Sequence, residues 1–163
     1  MLTPENTHRT LHVFNPSHDE ALAAGTPYYY PSVIARKLAS AWALLPALWA
    51  NNGDVVWVPD DVSTSSIPDW AQHVTLVHQS DLKKAFWETV HEIAPWGLDA
   101  LVRQQLNKAG APQTLLPNDE TLANVRQLSS RNTTALVLPK LRQMLHEQGI
   151  DTVGTSHIAT SLT

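Results

Sequence analysis

Three short apolar runs, Leu11 to Phe14, Val55 to Val58 and His73 to Val77, are separated by spans long enough to hold helices, and this alternation limits the folds open to the chain. Parallel neighbours in a sheet need a helix-sized return, so strands spaced this way pair in one direction through right-handed crossovers. The expected class is α/β: a Rossmann-like, mainly parallel sheet flanked by helices, with a helix-rich C-terminal half. The first run ends at Asn15-Pro16, where proline removes a donor and restricts the residue before it. From Ser32 onward, Val33, Ile34, Leu38, Trp42, Leu45 and Trp49 recur near helical spacing. They predict one amphipathic helix with Arg36, Lys37 and Ser40 off its apolar stripe, kinked or ended by Pro46.

Beyond the third run, Ser80 is placed to cap a helix from Asp81 that carries Leu82, Ala85, Phe86 and Val90 and breaks at Pro95-Trp96-Gly97. A short helix from Leu98 to Lys108 is expected next. Asn118 or Asp119 then caps a helix with Leu122, Val125 and Leu128. Another helix from about Asn132 carries Leu136, Leu141, Met144 and Leu145, with Pro139 disturbing its middle and Gly149 ending it. Ile150 to Thr160 reads as a terminal strand or an extended exit.

A chain of 163 residues suits one domain, expected here over 1–163. Hydrophobic residues make up 43% and charged residues 16%, so the chain is globular with a thinly charged surface. Six Trp fit either an exposed face that something covers or a filled core. A net charge of −4 gives no footprint for a phosphate backbone, which argues against a nucleic-acid partner. The absence of cysteine excludes disulfides and thiolate chemistry. No apolar leader opens the chain, and the longest apolar stretch, Ala41 to Ala50, is interrupted by Pro46 and far below spanning length. A cytoplasmic protein with no membrane partner is expected.

Parallel strands set their carboxyl ends along one edge, where open α/β sheets bind ligands. Asn15, His18 and Asp19, Pro59 with Asp60 and Asp61, and His78 are candidates for that rim; short polar residues also serve simply to turn the chain. An adjacent carboxylate can tune a neutral histidine near pH 7, so His18 beside Asp19 is a candidate acid–base pair. A small hydrolase holding a metal on His18, Asp19 and His78 is the weakest alternative, because His-Glu-x-x-His and calcium-loop spacings are missing. No metal site is assigned. The six glycines never cluster into a phosphate cradle, and no Gly-x-Ser-x-Gly elbow is present. Asp119, Glu120, Arg126, Ser129, Ser130 and Arg131 form a second polar stretch, either an anion holder or helix caps.

The stretches "VFNPSHDEALA", "LPALWANNGDVVWV", "PWGLDALVRQQL" and "LLPNDETLANVRQLSSRNTTA" resemble, in the same order, the N-terminal part of a family of uncharacterised bacterial ATP-grasp-like proteins. The resemblance runs from about His12 to Ile150. It implies a pre-ATP-grasp-like domain on the substrate side of a carboxylate–amine ligase, inactive alone. ATP and magnesium are implied only for an ATP-grasp portion that has no counterpart in this sequence. It also implies a substrate-facing role for Asn15, His18 and Asp19, and a place for Trp96 near the domain junction. The implied partners are a small-molecule substrate and either that portion or a second copy through an apolar face. No catalytic residue is assigned. The alternative is a non-catalytic ligand-binding or protein-interaction module on the same fold.

Overall fold

The computed structural model describes residues 9–150. The sheet has four strands, all parallel: β1 (Arg9–Val13), β2 (Val55–Trp57), β3 (Thr75–Val77) and β4 (Val90–Pro95), in the order β3-β2-β1-β4. The α/β, Rossmann-like class is therefore the observed one, with helices α1 (His18–Ala24), α2 (Val33–Ala41), α3 (Lys84–Trp87), α4 (Ala100–Lys108), α5 (Asp119–Leu128) and α6 (Arg131–Glu147). Contacts divide the chain into two compact units, residues 1–122 and 123–163, with the division inside α5. The sheet belongs to the first unit. The extended stretch expected between Ile150 and Thr160 lies, past Ile150 itself, outside the described residues.

β2 is apolar on both faces, as a doubly covered parallel sheet requires, whereas β1 alternates Leu11 and Val13 with Thr10 and His12. Leu11, Val13, Val55 and Val77 pack on one face against Trp87, Val102 and Leu106. Val56, Val58 and Leu76 pack on the other against Ala43, Ala47, Ala71 and Val74. Trp87 can be buried because its indole N–H donates to Leu82 O and Ala109 O.

β4 overturns the helix expected from Asp81 to the break at Pro95-Trp96-Gly97. The chain makes a short 3-10 turn at Gln79–Asp81, then only one turn of α3, and Val90 starts a strand. Leu82 and Val90 reach the same core from a loop and a strand, so their apparent helical spacing is coincidental. β4 is an edge strand, paired to β1 alone and irregular in register beside Arg9/Thr10, and His91 and Glu92 face solvent. It carries no continuous apolar run, and Pro95 closes it where a missing donor is tolerated.

Ser32 caps α2 by accepting the Ala35 N–H at 3.1 Å, and Pro46 sits in a 3-10 turn over Leu45–Leu48. The apolar stripe of this helix does not face the core. Ile34 is 80% exposed, Val33, Leu38, Trp42 and Trp49 are exposed as well, and the buried residue of α2 is Ala35. α6 runs through Pro139 without interruption, and it ends before Gly149 at a positive φ of 74°. None of its residues is buried.

Asp54, immediately before β2, ties β1 to β2. Its carboxylate accepts from Thr10 N–H at 3.0 Å, from Asn51 N–H at 2.8 Å and from His12 Nε2 at 3.1 Å, and both Asp54 and His12 are buried. Burial pushes the Asp54 carboxyl up, but the Thr10, His12 and Asn51 donors together outweigh it and hold the group below its ordinary value. His12 Nδ1 is buried and has no hydrogen-bond partner among the described residues.

Candidate functional site at the carboxyl edge of β1 and β4

From β1 the chain steps to β2 and β3 on one side, then crosses back to lay β4 against the other side of β1. The strand order reverses between β1 and β4, so a crevice opens outside their carboxyl ends. The chain leaves β1 at Asn15 and leaves β4 at Trp96, and the residues that follow meet there.

Asn15 continues the pairing where the backbone cannot. Trp96 N–H donates to Val13 O at 2.7 Å, after which Pro16 carries no N–H. The Asn15 side chain then stands in for a peptide group: its Nδ2 donates to Gly97 O at 2.8 Å, and its Oδ1 accepts from Gly97 N–H at 3.1 Å. Nδ2 also donates to Asp99 Oδ2 at 3.0 Å.

Asp99 is the hub of the site and is 2% exposed. Its Oδ1 accepts from Val102 N–H at 2.8 Å, capping α4. Its Oδ2 accepts from Asn15 and meets His18 Nδ1 at 3.1 Å. An ionised carboxylate is acceptor-only, so His18 donates to it from Nδ1, and in the neutral ring Nε2 is the nitrogen left to accept. Nε2 has no partner among the described residues, and the ring is half-buried. Gly97 makes room for it: a Cβ at that position would overlap the His18 ring. The result is an oriented imidazole able to accept a proton or a hydrogen bond from a bound molecule.

Asn15 and His18 thus come together, and Trp96 lies beside them, 57% exposed, with its ring edge-on to Phe14 at 5.7 Å and tilted on Trp49 at 5.9 Å. Asp19 does not join the cluster. It is exposed on the first turn of α1, and the carboxylate that meets His18 comes from 81 residues away. Asp61 accepts from the Ser40 hydroxyl, and His78 Nε2 bonds Val62 O at 2.8 Å, which takes both away from the His18 cluster. Gly97 and Asp99 are the functional residues that the sequence reading missed. An aspartate just ahead of an apolar-periodic helix signals a cap, yet nothing local to Asp99 signals its pairing with His18.

A cavity of about 300 Å³ adjoins the cluster through Asn15 and runs beneath α2 toward Pro59 and Asp60. The second polar stretch and its neighbour Asn118 supply two backbone caps and one ion pair. Asn118 Oδ1 accepts Thr121 N–H, Ser130 Oγ accepts Asn132 N–H, and Asp119 pairs with Arg103. Among the described residues no three His, Asp or Glu side chains converge as metal ligands would, and Asp99 is already occupied by three donors. No helix among the described residues is long and apolar enough to cross a membrane. Comparisons with protein-family models, with curated proteins and with solved structures find no match to this chain.

Proposed function

We propose that the first unit of this chain is a small-molecule-binding domain that works on the substrate side of an ATP-grasp-like carboxylate–amine ligase, with nucleotide held outside the described residues. The observation that carries the binding role is the Asn15–His18–Asp99 cluster at the point where strand order reverses. The ligase setting comes from the resemblance of the four sequence stretches. In this role Asp99 positions His18, Asn15 fixes the backbone around Gly97, and His18 Nε2 accepts a proton or hydrogen bond from the substrate. Calorimetric titration with Mg-ATP is expected to give no saturable heat. A stoichiometric signal would put the nucleotide on this chain and sink the substrate-side reading.

The exposed aromatic surface supports a covered face over a filled core. Trp42, Trp49, Trp70 and Trp96 are each half exposed or more, while Trp87 alone of the six is fully buried. Trp49 and Trp96 pack on each other at 5.9 Å, and contiguous exposed apolar area promotes association. Sedimentation velocity over a range of concentrations is expected to show dimers or larger species that dissociate on dilution. A strict monomer at every concentration would count against a covered face.

A further inference from the structure

We infer that the cavity beneath α2 binds a small organic anion with a flat apolar body, a monocarboxylate of the aryl-acetate kind. This rests on the reading of the β1 edge as substrate-facing, and it names the class of substrate. α2 is built in an unusual sense for a helix over a sheet. It turns Ala35 and Ala39, one turn apart, toward the sheet edge and sends Ile34, Leu38 and Trp42 outward. Two methyl groups where a core helix would place Leu or Ile leave space unfilled, and that space is the cavity.

Its apolar lining includes Val13, Phe14, Trp57 and Val58. The volume sits at the lower end of the range that encloses a small ligand, which favours a single ring over a nucleotide. Arg36 and Lys108 also line it, against one carboxylate, Asp60. Among the described residues neither cation pairs with a carboxylate, in contrast to Arg103, which is held by Asp119. Arg36 is preorganised: its Nη1 donates to Tyr30 OH at 2.5 Å, and its guanidinium lies over that ring at 4.8 Å. Stacking of this kind leaves further N–H donors free for a carboxylate. An apolar cavity whose lining carries two cations against one carboxylate selects an anion with an apolar body over a cation, a neutral analogue or a bare inorganic anion.

The test uses the full chain labelled for nuclear magnetic resonance, with phenylacetate as the probe. Saturable shifts are expected at the Trp57 indole N–H and the Ala35 and Ala39 methyls. Phenylacetamide, benzylamine and inorganic phosphate should each bind at least about tenfold more weakly, the factor one charge-assisted contact commands. Arg36→Gln and Lys108→Gln, both at exposed positions, should keep the fold by circular dichroism and lower affinity for phenylacetate by a similar factor. Ala39→Leu should fill the cavity and abolish the shifts.

Shifts at Trp57 with anion preference but none at the His18 ring would uphold the cavity assignment and overturn the substrate-facing role of the cluster. Shifts at His18 without Trp57 would overturn the cavity assignment and leave that role standing. Equal binding of phenylacetate and phenylacetamide, phosphate binding as tight as phenylacetate, or no saturable shift at Trp57 would each overturn the inference.

Discussion

Asp54→Ala is expected to remove about 3–5 kcal/mol of stability, the cost typical of breaking one side of a buried pair. Asp54 is 3% exposed, and its carboxylate accepts from Thr10 N–H, Asn51 N–H and His12. Truncation orphans two backbone donors and a histidine at once, and each buried unsatisfied group carries its own desolvation cost. Against a total of about 5–15 kcal/mol for a typical protein, the variant should sit near the threshold of unfolding. Urea titration followed by circular dichroism measures this as a lowered midpoint at unchanged slope. The double variant His12→Leu with Asp54→Ala should recover little, because Thr10 and Asn51 still lack their acceptor. Full recovery would mean that the carboxylate serves only to pair the imidazole.

The same carboxylate gives stability a pH dependence with a definite sign. Its folded value is held below the ordinary 3.8, so the unfolded chain binds the proton more readily. The contribution is complete above the unfolded value and is lost as pH falls through 3.8 toward the folded value. Wild-type stability should drop across that window, and Asp54→Asn should flatten the drop. An equally steep acid loss in Asp54→Asn would assign it to other carboxylates.

What was legible in the sequence follows from where each element is buried. β2 and β3 announce themselves because their apolar runs pack from both sides, as at Val55 with Val56 and Leu76 with Val77, and β1 does so through Leu11 and Val13 just ahead of Asn15-Pro16. β4 stays hidden because an edge strand shows His91 and Glu92 to solvent, and Leu82, Phe86 and Val90 imitate a helix across a turn. The stripe of α2 is a true helical periodicity attached to the wrong environment. Period 3.6 identifies the helix, but it does not say whether the bulky side or the alanine side meets the sheet. For the site, strand ends point to Asn15 and His18, since the chain must turn there. The partner of His18 is a matter of topology: Asp99 arrives beside it only because β4 pairs with β1, and the strand that brings it was the one misread.

Gly97→Ala is expected to dismantle that partnership while sparing the sheet. The added Cβ would overlap the His18 ring, which is held at Nδ1 by Asp99. The backbone of Gly97 is held in turn by both ends of the Asn15 amide, so neither wall yields easily. Relief requires the imidazole to leave, with loss of a hydrogen bond to a charged group, about 1.5–3 kcal/mol. The His18 ring resonances should move toward those of an exposed histidine, while amides of β2 and β3 stay in place. Much of the cost should vanish in a His18→Ala background, because the obstacle is then gone; a double-mutant cycle should return a coupling of about 1–3 kcal/mol. Full stability of Gly97→Ala with an unmoved His18 signal would show that the ring is not confined as described, and Gly97 would lose its role in shaping the site.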